Sequence, residues 1–171
     1  MKYGVAFFPS KEIQDLANSY RMRYDTHYSW IPPHITLRYP FEASESIEET
    51  ITNIQEIAAA AAPFPMTIYK ADTFHPKENK IFFKIKPNET LMNLYSALND
   101  EPKTSLGKQH EFTPHLTIAQ DLTDDEHFDV LGRLQMKDIH HEEIIDRIQL
   151  LYQLDNGSWT VYETFRLGKE V

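Results

Sequence analysis

Pro33-His34-Ile35-Thr36-Leu37 and Pro114-His115-Leu116-Thr117-Ile118 are two versions of one five-residue pattern, identical at Pro, His and Thr and apolar at both intervening positions. The histidines lie 115 − 34 = 81 residues apart in a chain of 171. Side chains alternate along a strand, so His34 and Thr36 project from one face while Ile35 and Leu37 enter the other. The second pattern repeats this with His115 and Thr117 against Leu116 and Ile118. A lone His-x-Thr match carries little weight, because about 0.6 arise by chance at this composition. A five-position repeat, led by proline each time and placed similarly in each half of the chain, carries far more.

Upstream of the first pattern, residues 2 to 8 alternate as a strand with Tyr3, Val5 and Phe7 on one face. Ser10 is placed to cap a helix whose stripe is Ile13, Leu16, Ala17, Tyr20 and Tyr24. A strand from His34 to Tyr39 is expected to stop at Pro40, before a helix carried by Ile47, Ile51, Ile54 and Ile57. Strands over Met66 to Phe74 and Lys80 to Lys86 flank the turn-prone His75-Pro76-Lys77-Glu78-Asn79. Asn88 caps a helix through Leu91, Leu94, Tyr95 and Leu98, and residues 100 to 111 read as a loop before the second pattern. Thr123-Asp124-Asp125-Glu126 has the form of a capping box ahead of Phe128, Leu131 and Leu134. A last hairpin, Ile144 to Asp155 and Ser158 to Leu167, turns at Asn156-Gly157, a sequence favoured in two-residue turns.

The order is strand, helix, His-strand, helix, strand, then strand, helix, His-strand, helix and a closing hairpin. The chain repeats its element order without repeating its residues. This predicts an α+β fold, with two antiparallel sheets in a bilobal pseudo-two-fold arrangement, helices outside and a central cleft. A single domain with two lobes over residues 1–171 suits the length.

Composition excludes several classes. There is no cysteine, so neither a disulfide framework nor a thiolate metal site is available. No signal-peptide pattern opens the chain, and no apolar run approaches the roughly 20 residues of a membrane span, so a cytoplasmic location is expected. A net charge of −9 disfavours non-specific binding to long nucleic acid. Lys70, Lys77, Lys80, Lys84 and Lys86 nevertheless gather mid-chain, either to attract an anion or to protect a sheet edge. The other histidines, at 27, 75, 110, 127, 140 and 141, show no metal-ligand spacing, and no cofactor or obligate protein partner is expected.

The paired histidines suggest a chemistry. Attack at a phosphodiester needs one group to accept a proton and another to deliver one to the leaving oxygen, and imidazole serves both roles near neutrality. Threonine hydroxyls two positions along each strand are suited to hold the non-bridging phosphate oxygens. Tyr3, Phe8, Tyr39 and Phe112 are aromatic candidates either for stacking a base or for filling the core.

The two His-x-Thr strands, their order and the chain length resemble the 2H phosphoesterase superfamily, which includes RNA 2',5'-ligase-like proteins and cyclic nucleotide phosphodiesterases. Met1-Lys2-Tyr3-Gly4, Leu16-Ala17-Asn18-Ser19-Tyr20, Pro32-Pro33-His34 and the stretch from Leu150 to Phe165 are similar to the bacterial YjcG-type branch. The resemblance implies two lobes that each supply one His-x-Thr strand to the cleft. It also implies metal-independent hydrolysis of a cyclic or 2',5'-linked phosphodiester on a nucleotide or RNA end. His34 and His115 match the acid-base histidines, and Thr36 and Thr117 the phosphate-binding hydroxyls. Several ligase-like members carry an arginine shortly after the second motif, where this chain has Gln120, which cannot neutralise phosphate charge. Arg38, on the His34 face of an ideal strand, is a candidate to compensate. The competing readings are 2',5' RNA ligation and a module that binds a nucleotide or RNA phosphate without turnover.

Overall fold

Local signals set most of the elements. The computed structural model describes residues 1–43, 46–100 and 112–168. Its elements are β1 (Lys2–Phe7), α1 (Lys11–Tyr24), β2 (Ile35–Glu42), α2 (Ile47–Ala60), β3 (Phe64–Thr73) and β4 (Lys80–Ile85). They continue as α3 (Glu89–Leu98), β5 (His115–Gln120), α4 (Asp124–Gln135), β6 (His141–Ile145), β7 (Arg147–Gln153) and β8 (Trp159–Arg166). The loop expected over residues 100 to 111 falls, beyond Asp100, outside the described residues. Asn88 and Thr123 cap α3 and α4 through bonds accepted from the Leu91 and Glu126 N–H groups, at 2.9 and 3.3 Å. Ser10 makes no side-chain cap; its N–H instead donates to the Glu143 carboxylate at 3.0 Å.

The strands form two four-stranded antiparallel sheets, ordered β2-β1-β7-β8 and β5-β4-β3-β6. Each sheet therefore carries one His-x-Thr strand at an edge, beside a central strand from the same half of the chain. The helices cross over. α1, which links β1 to β2, packs on β5 of the other sheet, with Tyr20 edge-on to Phe83 at 6.1 Å. α3, which links β4 to β5, packs on β2, and its cap Asn99 donates to the Leu37 carbonyl at 2.9 Å. Each His strand is thus backed by the helix of the opposite half.

Alternation supplies the core. Val5, Phe7, Ile35, Leu37, Ile81, Phe83, Leu116 and Ile118 are fully buried. Each contributes roughly 1.5–3 kcal/mol through apolar burial. Because these residues alternate with the cleft-facing ones, the packing that holds β2 and β5 also fixes the direction of His34, Thr36, His115 and Thr117.

Three expectations about strand ends and turns also need correction. Pro40 does not end its strand: β2 runs on to Glu42, and between the pairs Tyr3↔Phe41 and Val5↔Arg38 the register shifts around Pro40. An edge strand tolerates proline at a bulge, where the missing N–H has no ladder partner to lose. The stretch from Ile144 to Asp155 is not one strand. Asp146 separates β6, which pairs with β3, from β7, which pairs with β1, so the chain changes sheets there.

The closing turn is the third. Leu154 N–H donates to Ser158 O at 2.7 Å and Gly157 N–H to Leu154 O at 2.9 Å. Gly157 has φ 93°, while Asn156 is not among the residues of positive φ. A three-residue loop with glycine in the left-handed position therefore replaces the two-residue turn. Gly157→Ala is expected to cost about 1 kcal/mol, since a side chain is strained at that φ. Urea unfolding would check it, with a lowered midpoint at unchanged slope.

Candidate active site

β2 and β5 bring the two patterns to one cavity of about 260 Å³. His34, Thr36, His115 and Thr117 all line it, as do Arg38 and Gln120. The two histidines are held in the same way. His34 Nδ1 lies 2.9 Å from the Pro32 carbonyl and His115 Nδ1 lies 2.6 Å from the Thr113 carbonyl, in each case two residues back. A carbonyl only accepts, so Nδ1 carries the proton in both rings and Nε2 is left for chemistry. The proline that leads each pattern lies between the carbonyl and the ring it orients.

Both rings are pushed toward the neutral form. Burial lowers His34 to about 4, helped by the charges of Arg21 and His115 and opposed by the Pro32 carbonyl bond and the Asp25 carboxylate. Burial also lowers His115, against the Thr113 carbonyl bond, with Lys80 lowering it and Glu78 raising it. The apolar part of that environment is visible: the His115 ring lies 5.0 Å from Phe74 and 5.1 Å from Phe82.

The other expected residues divide. Arg38 lies against the Phe41 ring, 3.7 Å from its centroid, and is half-buried. Gln120 turns its amide away from a free role, because Nε2 donates to Asp25 Oδ1 at 2.7 Å. Three of the five mid-chain lysines are ion-paired: Lys70 and Lys84 share Asp72 at 3.8 and 3.7 Å, and Lys80, which reaches the cavity wall, pairs with Glu78 at 3.2 Å. Tyr3 and Phe112 fill the core, whereas Tyr39 is exposed at the cavity rim. Among the described residues no group of three or more His, Asp or Glu side chains could hold a metal ion.

Sequence reasoning missed Arg21, Asp25 and Trp159, which also line the cavity. A signal for the first two was present. The buried face of α1 is Ile13, Ala17 and Arg21, while Leu16 is exposed. Four-residue steps from Ile13 therefore lead to Arg21 and Asp25, two opposite charges on a face that should be apolar. Trp159 has no comparable signal, since it reaches the cavity only through the pairing of β8 with β7.

A model of the 2'-5' RNA ligase superfamily matches residues 9–157, which contain both His-x-Thr patterns. The chain belongs to this superfamily of 2H phosphoesterases. Superfamily relatives match it from end to end. A Halalkalibacterium halodurans protein named "Putative phosphoesterase BH1439" is 59% identical, with 99% of each chain covered. A Bacillus pumilus protein with the same functional name is 52% identical over 99% of each chain. Two solved structures share the fold: TT0787 of Thermus thermophilus, 18% identical with TM-score 0.67 over 100% of both chains, and E. coli LigT complexed with 3'-AMP, 15% identical with TM-score 0.63 over 98% of both. The two antiparallel sheets and four helices match the fold of these structures. Among the described residues no helix is long and apolar enough to cross a membrane.

Proposed function

We propose that the protein is a metal-independent phosphodiesterase that opens a 2',3'-cyclic or related phosphodiester, or a 2',5' linkage, on a nucleotide or RNA end. The observation that carries this reading is the matched pair of imidazoles. Each has its Nδ1 fixed on a backbone carbonyl, and both share one cavity with Thr36 and Thr117. Water attacks phosphorus and gives its proton to one imidazole, the phosphorus–oxygen bond to the ribose breaks, and the second imidazole protonates the departing oxygen. The two threonine hydroxyls donate to the non-bridging oxygens as charge builds on them.

The environment distinguishes the histidines. A group held near 4 is neutral through the physiological range, so His34 serves as the base. His115 then delivers the proton, with the Thr113 carbonyl and the Glu78 carboxylate favouring its charged form against burial and the charge of Lys80. The complex of LigT with 3'-AMP supports a nucleotide-sized ligand for this fold.

The test is turnover of 2',3'-cyclic nucleotides, short cyclic-phosphate RNAs and 2',5'-linked dinucleotides with a chelator present, products being resolved by isomer. Chelator-resistant hydrolysis of at least one class is expected. Saturable phosphate binding without turnover of any of them would leave a binding module in place of the enzyme.

A further inference from the structure

The cavity holds a cation whose fixing is more elaborate than a helix surface requires. Arg21, on the last turn of α1, faces Asp25 at the helix C-cap with Nε to Oδ2 at 3.2 Å, and both side chains are only 2% exposed. The contact is single rather than a two-bond fork. Arg21 Nη1 donates to Asn18 Oδ1 at 2.7 Å and Nη2 to the Ile31 carbonyl at 2.6 Å. A guanidinium has five N–H donors, so one on each terminal nitrogen is still uncommitted. Asp25 is heavily engaged: its Oδ1 accepts from Gln120 Nε2 at 2.7 Å and from the His27 N–H at 2.8 Å. The carboxylate that would neutralise Arg21 thus shares its charge among donors from α1, β5 and the following loop.

The other cavity cations are placed differently. Lys80 is paired with Glu78, and the Arg38 guanidinium lies on Phe41. Arg21 exerts the largest influence of any charged side chain on His34, ahead of His115 and Asp25. Burial disfavours its own charge, a cost that an incoming anion offsets.

We infer that Arg21 is a substrate-binding residue of this site, donating to a non-bridging phosphate oxygen beside His34, and that Asp25 and Gln120 are the positioning residues that aim it. The inference rests on the phosphodiesterase reading for the identity of the anion. Gln120 serves phosphate at one remove, by holding the carboxylate that holds the arginine. The rigid planar fork is what lysine cannot reproduce at this position.

Inorganic phosphate titrated into the full chain labelled with 15N-arginine tests this without turnover. In the wild type the Arg21 Nε–H resonance, assigned by its loss in Arg21→Lys, is expected to shift saturably with the same Kd as the His34 ring protons. Arg21→Lys should bind phosphate about tenfold or more weakly, and Gln120→Met about threefold more weakly, with melting curves recorded on both. A His34 response without an Arg21 response, or equal phosphate affinity in folded Arg21→Lys, would overturn the assignment and leave the phosphodiesterase reading standing. A joint response in a protein that turns over no phosphodiester would keep Arg21 as an anion contact and overturn the hydrolase. Silence at both residues would overturn both.

Discussion

Alanine at either His34 or His115 is expected to lower kcat/KM for the best cyclic phosphodiester by about 10²-fold or more. The two rings perform different proton transfers, so neither stands in for the other. The double variant should be little worse than the worse single one, because groups that act in one step are not additive. Packing must be kept apart from chemistry. His115 is 9% exposed between Phe74 and Phe82, so alanine there leaves a hole and glutamine is the better-filled control. Steady-state kinetics should be paired with circular dichroism on each variant. A folded variant that keeps more than about a tenth of wild-type activity would remove that histidine from the proton transfers.

The pH profile should show the second large effect. The reactive form has His34 neutral and His115 protonated, so kcat/KM is highest on the acid side of neutrality. Below about 4 His34 gains a proton and the base is lost. Toward alkaline pH His115 loses its proton, and burial has moved that loss below the ordinary histidine value of 6.5. At pH 8 such a group is protonated to about 3% at most, and kcat/KM falls about tenfold for each further unit. Burial sets both limits first, against the Pro32 and Thr113 carbonyl bonds, and the charges of Arg21, His115 and Asp25 around His34 and of Lys80 and Glu78 around His115 adjust them. Initial rates at low substrate from pH 4 to 9 measure the profile. A curve that is flat between pH 6 and 9 would overturn His115 as the acid.

Much of this was legible in the residues. The paired His-x-Thr patterns located both walls of the cleft, because a period of two leaves no choice about which side chains share a face. The element order gave two sheets with helices outside. What was hidden depended on partners distant in sequence. The exposed pair Asp146-Arg147 interrupts the alternation where the chain leaves one sheet for the other, but the pattern records burial and not which strand lies alongside. Pro40 reads as a stop until β2 is known to be an edge. Arg21 went unread because helix stripes are sought among apolar residues, and the burial of Ile13 and Ala17 without Leu16 makes plain which face it shares. Gln120 was weighed against phosphate itself, when its partner is the carboxylate of Asp25, 95 residues away in sequence.

On the side away from β2, β1 pairs with β7, with Tyr3 opposite Tyr152 and Ala6 opposite Gln149. A chain made from its N-terminus therefore presents β1 and β2 as a two-stranded ribbon whose β1 edge stays open until residues near 150 have left the ribosome. The β5-β4-β3 layer has its strands in hand earlier, so vectorial synthesis completes the His115 wall before the His34 wall. Translation pausing over the last hairpin would prolong the life of that open ribbon, and with it the interval in which a second nascent chain could pair in place of β7.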